Sequence, residues 1–173
     1  MKKIIAVFLL LTLSFSLFSC GKDKKGDEVE FTDYYEYGLF YSIPSDLEVR
    51  NLSYGDITYV KDDIYFFFNT FDEVDLTEDM LISPDTTVIE YTEMYILFLL
   101  MDIDYEYDQA TDSTEFEYVY SYDDGVTPDE YYRHMILRNE TYIYQVTISC
   151  DAVNKDAYKD TFDRVMNSIL LLG

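Results

Sequence analysis

Residues Tyr131 to Cys150 read YYRHMILRNETYIYQVTISC, two runs rich in β-branched and aromatic side chains either side of a polar centre. Such a segment reads as an antiparallel hairpin. A tight turn at Asn139-Glu140 sets Arg138 opposite Thr141, Leu137 opposite Tyr142 and Met135 opposite Tyr144. That face continues through Val146, Ile148 and Cys150 as one apolar surface. His134 with Gln145, and Tyr132 with Thr147, lie on the other side. Arg133 alone breaks the apolar face, and must snorkel to the sheet edge or mark an error of register.

Downstream, Tyr158, Phe162, Val165 and Ile169 recur at helical spacing, with Lys155, Asp156, Lys159 and Asp163 on the wet side. This predicts a helix from Asn154 through Leu170 that packs on the sheet. Upstream, Ile103, Tyr105 and Tyr107 alternate with Asp104, Glu106 and Asp108. Phe116, Tyr118 and Tyr120 likewise alternate with Glu115 and Glu117, beyond a turn-rich Gln109–Ser113. A hairpin with one solvated face follows. Ser83-Pro84-Asp85 supplies a cap, a first-turn proline and an acid for a helix bearing Val88, Tyr91 or Thr92, Tyr95 and Leu99. Met94 to Met101 is apolar all round, which predicts a deeply buried helix or a strand there. Earlier still, Ile57–Val60 and Ile64–Phe71 flank a loop at Lys61-Asp62-Asp63. The scarcely alternating Ile64-Tyr65-Phe66-Phe67-Phe68 predicts a central strand covered on both faces. Leu39–Ile43 and Leu47–Asn51 complete the strands, separated by a turn at Pro44-Ser45-Asp46. Strands, helix, antiparallel strands and closing helix make an α+β domain, a twisted antiparallel β-sheet flanked by helices.

The N-terminus differs in kind. Met1 to Ser19 has Lys2 and Lys3, an apolar Ile4–Leu13 and a small-residue end, the parts of a secretory signal peptide. The apolar run is shorter than the roughly 20 residues a membrane-spanning helix needs. Leu17-Phe18-Ser19-Cys20 resembles the lipobox of bacterial lipoproteins, which implies acylation of Cys20 and cleavage before it. The expected organisation is a leader at 1–19, the lipidated cysteine and a flexible charged tether at 20–30, and the folded domain at 31–173. GKDKKGDEVE, residues 21–30, lacks the apolar content to order itself. With two cysteines in the chain and Cys20 given to lipid, Cys150 has no intramolecular disulfide partner. A core of one domain must hold the fold.

Charge excludes further classes. The formal charge is −23, from 12 Lys and Arg against 35 Asp and Glu, and loss of Lys2 and Lys3 with the leader deepens it. Such an excess repels phosphate backbones and anionic headgroups, so no nucleic-acid partner is expected and only the acyl chains should touch the bilayer.

Tyr37-Gly38-Leu39-Phe40-Tyr41-Ser42-Ile43-Pro44-Ser45-Asp46, with the closing Y-x-x-x-F-x-x-V-x-x-S-I of Tyr158–Ile169, resembles bacterial lipoproteins of the PsbP-like, Mog-type α/β/α sandwich. The order of elements over the domain agrees. Members of that fold include an extrinsic photosystem subunit and a Ran-binding protein, so the resemblance implies a scaffold for binding. None of their partner-contacting residues is matched here.

Candidate chemistry is sparse. His134 is the single histidine, and Cys150 at the end of an apolar face reads as a small buried hydrophobe. No CxxC or second histidine points to zinc, and no cofactor is expected. The acidic row Asp104, Glu106, Glu115 and Glu117 is the candidate site for a hard cation such as calcium. Tyr34, Tyr35 and Tyr37 are the candidate aromatic patch for a glycan. The expectation is a non-enzymatic, extracytoplasmic lipoprotein anchored to a bacterial membrane through Cys20, with an envelope protein as partner. A module binding a cell-envelope glycan or a divalent cation is the alternative.

Overall fold

The computed structural model describes residues 29–50, 57–71 and 85–172. The leader, Cys20, most of the expected tether and Ser83-Pro84 lie outside the described residues. Strands run β1 Phe31–Glu36, β2 Leu39–Pro44, β3 Glu48–Arg50, β4 Ile57–Lys61, β5 Ile64–Phe71, β6 Glu106–Asp108, β7 Ser113–Tyr120, β8 Glu130–Arg138, β9 Ile143–Asp151 and β10 Leu170–Leu171. The helices are α1, Val88–Leu99, and α2, Lys155–Ser168. A large antiparallel sheet has the order β3-β4-β5-β9-β8-β7-β6, and a small one the order β1-β2-β10. The result is the expected α+β class, with helices packed on antiparallel sheets.

The β8–β9 hairpin forms, in a register two residues from the expected one. Leu137 faces Tyr144 and Met135 faces Val146, while His134 pairs with Thr147 and Tyr132 with Ser149. Asn139 is the reason. Its Oδ1 accepts from the backbone N–H of Thr141 and of Tyr142, each at 2.8 Å, and its own N–H donates to the Tyr142 carbonyl at 3.1 Å. The side chain therefore organises a four-residue loop in place of a two-residue turn. A shift of two residues leaves every side chain on its predicted face.

One face of the large sheet carries Phe66, Phe68, Val146, Ile148, Tyr144 and Cys150. These pack against Leu39, Tyr41 and Ile43 of β2 and Phe162, Val165 and Met166 of α2. Burying Phe162 fully contributes about 2–3 kcal/mol, and its ring lies edge-on to Phe66 at 6.0 Å. On the opposite face, Val88 and Tyr91 of α1 pack with Phe116, Ile136 and Ile143. β5 is interior to the sheet, but only its Ile64-Phe66-Phe68 face is fully buried; Tyr65 and Phe67 are half-buried.

Further expectations are corrected. α1 begins later than Ser83-Pro84-Asp85: Thr87 accepts from the Glu90 N–H at 3.2 Å and the Glu90 carboxylate accepts from the Thr87 N–H at 2.8 Å, a reciprocal cap. Its far end is not deeply buried, since Leu97, Phe98 and Leu100 are exposed. α2 stops at Ser168, whose Oγ accepts from the Ser42 N–H at 2.8 Å, and Leu170 then pairs with Phe40 as strand β10. β6 has three residues, with Ile103–Tyr105 outside it. β1 was not expected as a strand, and pairs along its length with β2.

Candidate functional site

The two tyrosine faces of β1 explain the fate of the N-terminal patch. Tyr34 points inward and stacks on Tyr41 at 5.5 Å and against Tyr59 at 5.3 Å, whereas Tyr35 and Tyr37 are exposed. The three are not one platform, because strand alternation sends Tyr34 into the core and Tyr35 away from it.

The acidic row does converge. Asp104, Glu106, Glu115 and Glu117 line one cleft of about 860 Å³, between the segment before β6, the edge of β7 and α2. Glu106 and Glu115 are direct cross-strand partners. Two of them, Glu115 and Glu117, face the chain's own cations. Arg133 is ion-paired with Glu115, and its Nη1 donates to Asp163 at 2.6 Å. Lys155 donates to Glu117 at 2.7 Å and stands over the Tyr131 ring at 4.3 Å, while Tyr131 Oη donates to Glu117 at 2.5 Å. Burial pushes the Glu117 carboxyl up, but the Lys155 and Tyr131 bonds outweigh it and hold it low. Asp163 is held low by Lys159 and then by Arg133. Among the described residues no group of three or more His, Cys, Asp or Glu side chains is arranged to hold a metal. Glu115 and Glu117, expected on a solvated face, are thus paired beside the core, and Arg133, the apparent error, links Glu115 to Asp163.

His134 and Cys150 do not meet. Along β8 and β9 they stand on opposite faces of the sheet, His134 across from Thr147 and Cys150 across from Tyr131. Burial first, then Asp63 and Asp151, push the Cys150 thiol up to about 12, so it stays protonated and inert.

The second face holds a feature the sequence reading did not assemble. β9 presents Gln145, Thr147 and Ser149 there, flanked by Tyr65, Phe67 and Asn69 of β5 and by Tyr132 and His134 of β8. Short polar residues between tall aromatic ones make a trough along β9. Tyr91 and Tyr95 of α1 bound it, and its volume is about 390 Å³. His134 stacks on Phe116 at 4.8 Å and on Tyr118 at 5.5 Å. Its Nδ1 lies 2.9 Å from Thr147 Oγ1 and 3.5 Å from Gln145 Nε2. The amide nitrogen only donates, and Gln145 Oε1 already accepts from Tyr91 Oη at 3.1 Å. Thr147 and Gln145 thus hold the ring through Nδ1, and the other ring nitrogen is Nε2. That Nε2 is buried and has no hydrogen-bond partner. Burial lowers the imidazole pKa to about 3, so the ring is neutral. The alternation of His134, Gln145 and Thr147 on one face was legible; the trough depends on the heights of neighbours on three strands.

No family model matches the sequence, and no curated protein matches it. Solved structures do match in fold. Cyanobacterial PsbP (CyanoP) from Synechocystis superposes with a TM-score of 0.58 at 13% identity, covering 88% of this chain and 98% of its own. The Ran-binding protein Mog1p of Saccharomyces cerevisiae gives 0.53 at 7% identity, covering 84% and 97%. LpqN, involved in cell envelope biogenesis of Mycobacterium tuberculosis, gives 0.45 at 10% identity, covering 85% and 93%. The first two establish a PsbP/Mog-like fold.

Proposed function

We propose that this protein is a non-enzymatic accessory lipoprotein of a bacterial envelope, held at the membrane by acylated Cys20, whose PsbP/Mog-like domain binds another envelope component. The observation that carries the reading is Leu17-Phe18-Ser19-Cys20 closing an apolar leader, directly ahead of a charged spacer and one folded domain. Among the described residues, His134 and Cys150 stand on opposite faces of the sheet and form no Cys/His nucleophile pair. Similar folds in PsbP and in a Ran-binding protein support a binding role.

Metabolic labelling with an alkyne fatty acid in a bacterial host tests the anchor. Label is expected on the full-length chain and absent from Cys20→Ala; equal labelling of both, or of neither, would overturn it. Crosslinking and affinity capture of the anchored form is expected to yield one envelope protein reproducibly.

A further inference from the structure

Strand β7 runs on past its outer neighbour. β6 pairs only with Ser113, Thr114 and Glu115, and among the described residues no strand pairs with the outer edge of Phe116–Tyr120. The ladder shows which backbone groups stand open there. The Asn139 N–H donates to the Tyr142 carbonyl, and the Ala152 N–H to the Asp129 carbonyl. Odd-numbered residues of β8 therefore bond β9, and even-numbered ones bond β7. Tyr118 and Tyr120 lie opposite Tyr132 and Glu130, so their N–H and C=O groups are used within the sheet. Those of Glu117 and Val119 point outward.

The chain's own next segment does not suit this place. Carrying the Glu106–Glu115 register on by two residues would set Asp104 directly opposite Glu117, and like charges so placed repel. Ile103 and Tyr105 pack toward the α1 cluster instead, with Tyr105 Oη donating to Glu93 at 3.1 Å. Beside the open edge lies the cleft of about 860 Å³ described above. Its cations Arg133, Lys155 and Lys159 each have a carboxylate partner. Asp102, Asp104, Glu106 and Asp156 line the same cleft and have no ion pair among the described residues.

From these features we infer that the β7 edge takes up an extended, lysine- or arginine-bearing segment of a partner protein as an added antiparallel strand in line with β6. Its backbone bonds Glu117 and Val119, and its cations meet the unpaired acids. Main-chain bonds supply affinity, and the charge of the cleft selects the segment. A second copy of this chain, with a formal charge of −23, would meet the edge with like charge. The inference rests on the binding role proposed above, giving it a surface and a partner chemistry, and does not depend on the anchor. Capture of one envelope protein equally by the unaltered chain and by Val119→Pro would keep that role and overturn this site.

The test combines fluorescence anisotropy with residue-resolved amide exchange on the full chain in a phosphocholine detergent. The probes are a Lys-Val repeat peptide, the same peptide N-methylated at its lysines, and a Glu-Val repeat peptide. In the free chain the Glu117 and Val119 amides are expected to exchange faster than those of Phe116 and Tyr118, and the Lys-Val peptide to protect them. N-methylation keeps the charge and removes the donors, and is expected to weaken binding about tenfold. Val119→Pro removes an N–H at an open edge, where proline is tolerated. A similar loss is expected there, with the melting temperature little changed. The Glu-Val peptide is expected not to bind. Equal affinity of the N-methylated peptide would mean attraction by charge alone. That result, no binding of the Lys-Val peptide, or binding that leaves Glu117 and Val119 exchange unchanged would each overturn the proposal.

Discussion

The two faces of the large sheet handle buried polarity in opposite ways. Under α2, Arg133 keeps only 16% of its side chain exposed, yet it meets Glu115 and Asp163, and Glu117 meets Lys155 and Tyr131. Under α1, His134 lies deeper still, neutral, and left with one nitrogen unpaired. A charge taken out of water must bring its partner, because an isolated one is prohibitively costly. A neutral imidazole tolerates a missing partner at a cost of about 1–3 kcal/mol. The most buried charges of one face are therefore paired with each other, whereas the other face buries a neutral ring with one nitrogen unpaired.

Substitutions can break this contrast. Phe162→Ala removes the ring that joins α2 to Phe66 and Tyr131; denaturant unfolding should show a loss of about 3–5 kcal/mol. Arg133→Met strips the network of its centre. Its expected loss is about 2 kcal/mol, less than for a fully buried pair, because Glu115 and Asp163 keep about a third of their side chains in water. A pH series sharpens the point. Asp163 and Glu117 have folded-state pKa values below their ordinary ones, so their stabilisation is present above the unfolded carboxylate range, about 3.9 to 4.3, and is lost as pH falls through the folded values. Melting temperatures of the unaltered chain and Asp163→Asn should differ at pH 7 and converge in acid. The smallest effect is on the other face, where His134→Phe removes the unpaired Nε2 but also the Nδ1 that Thr147 and Gln145 bond, so the two effects oppose and denaturant unfolding should show a net change within about 1 kcal/mol.

Much of this was readable in the chain. The parity of β8 and β9 placed Met135, Leu137, Val146 and Ile148 on one face and His134, Gln145 and Thr147 on the other, and period-two alternation survives a register shift of two. What escaped has local causes. Asn139 looked like a turn residue, and only its three backbone bonds show that it spans a longer loop. Thr87 and Glu90 spell a capping box, but Ser83-Pro84-Asp85 offered a competing start. Ile169-Leu170-Leu171 continues a helical stripe, and the contact that ends α2, Ser168 with Ser42, joins residues distant in the chain. Phe31–Glu36 lacks a clean apolar face because it is half-exposed and borrows its order from β2. The cation row was legible as proximity, whereas the intervening Arg133 and Lys155 required the third dimension.

The small sheet sets the order in which this molecule can be completed. Its middle strand β2 lies near the start of the domain, yet one neighbour, β10, is made of Leu170 and Leu171 at the other end. A growing chain can form the hairpin of β1 and β2 early, but that hairpin lacks its second edge until Leu170 and Leu171 are available. Closing so long a loop is entropically unfavourable and comes late. The pairing of β2 with β10 therefore ties the first hairpin of the domain to the residues after α2, and substitutions that weaken it act on a non-local contact.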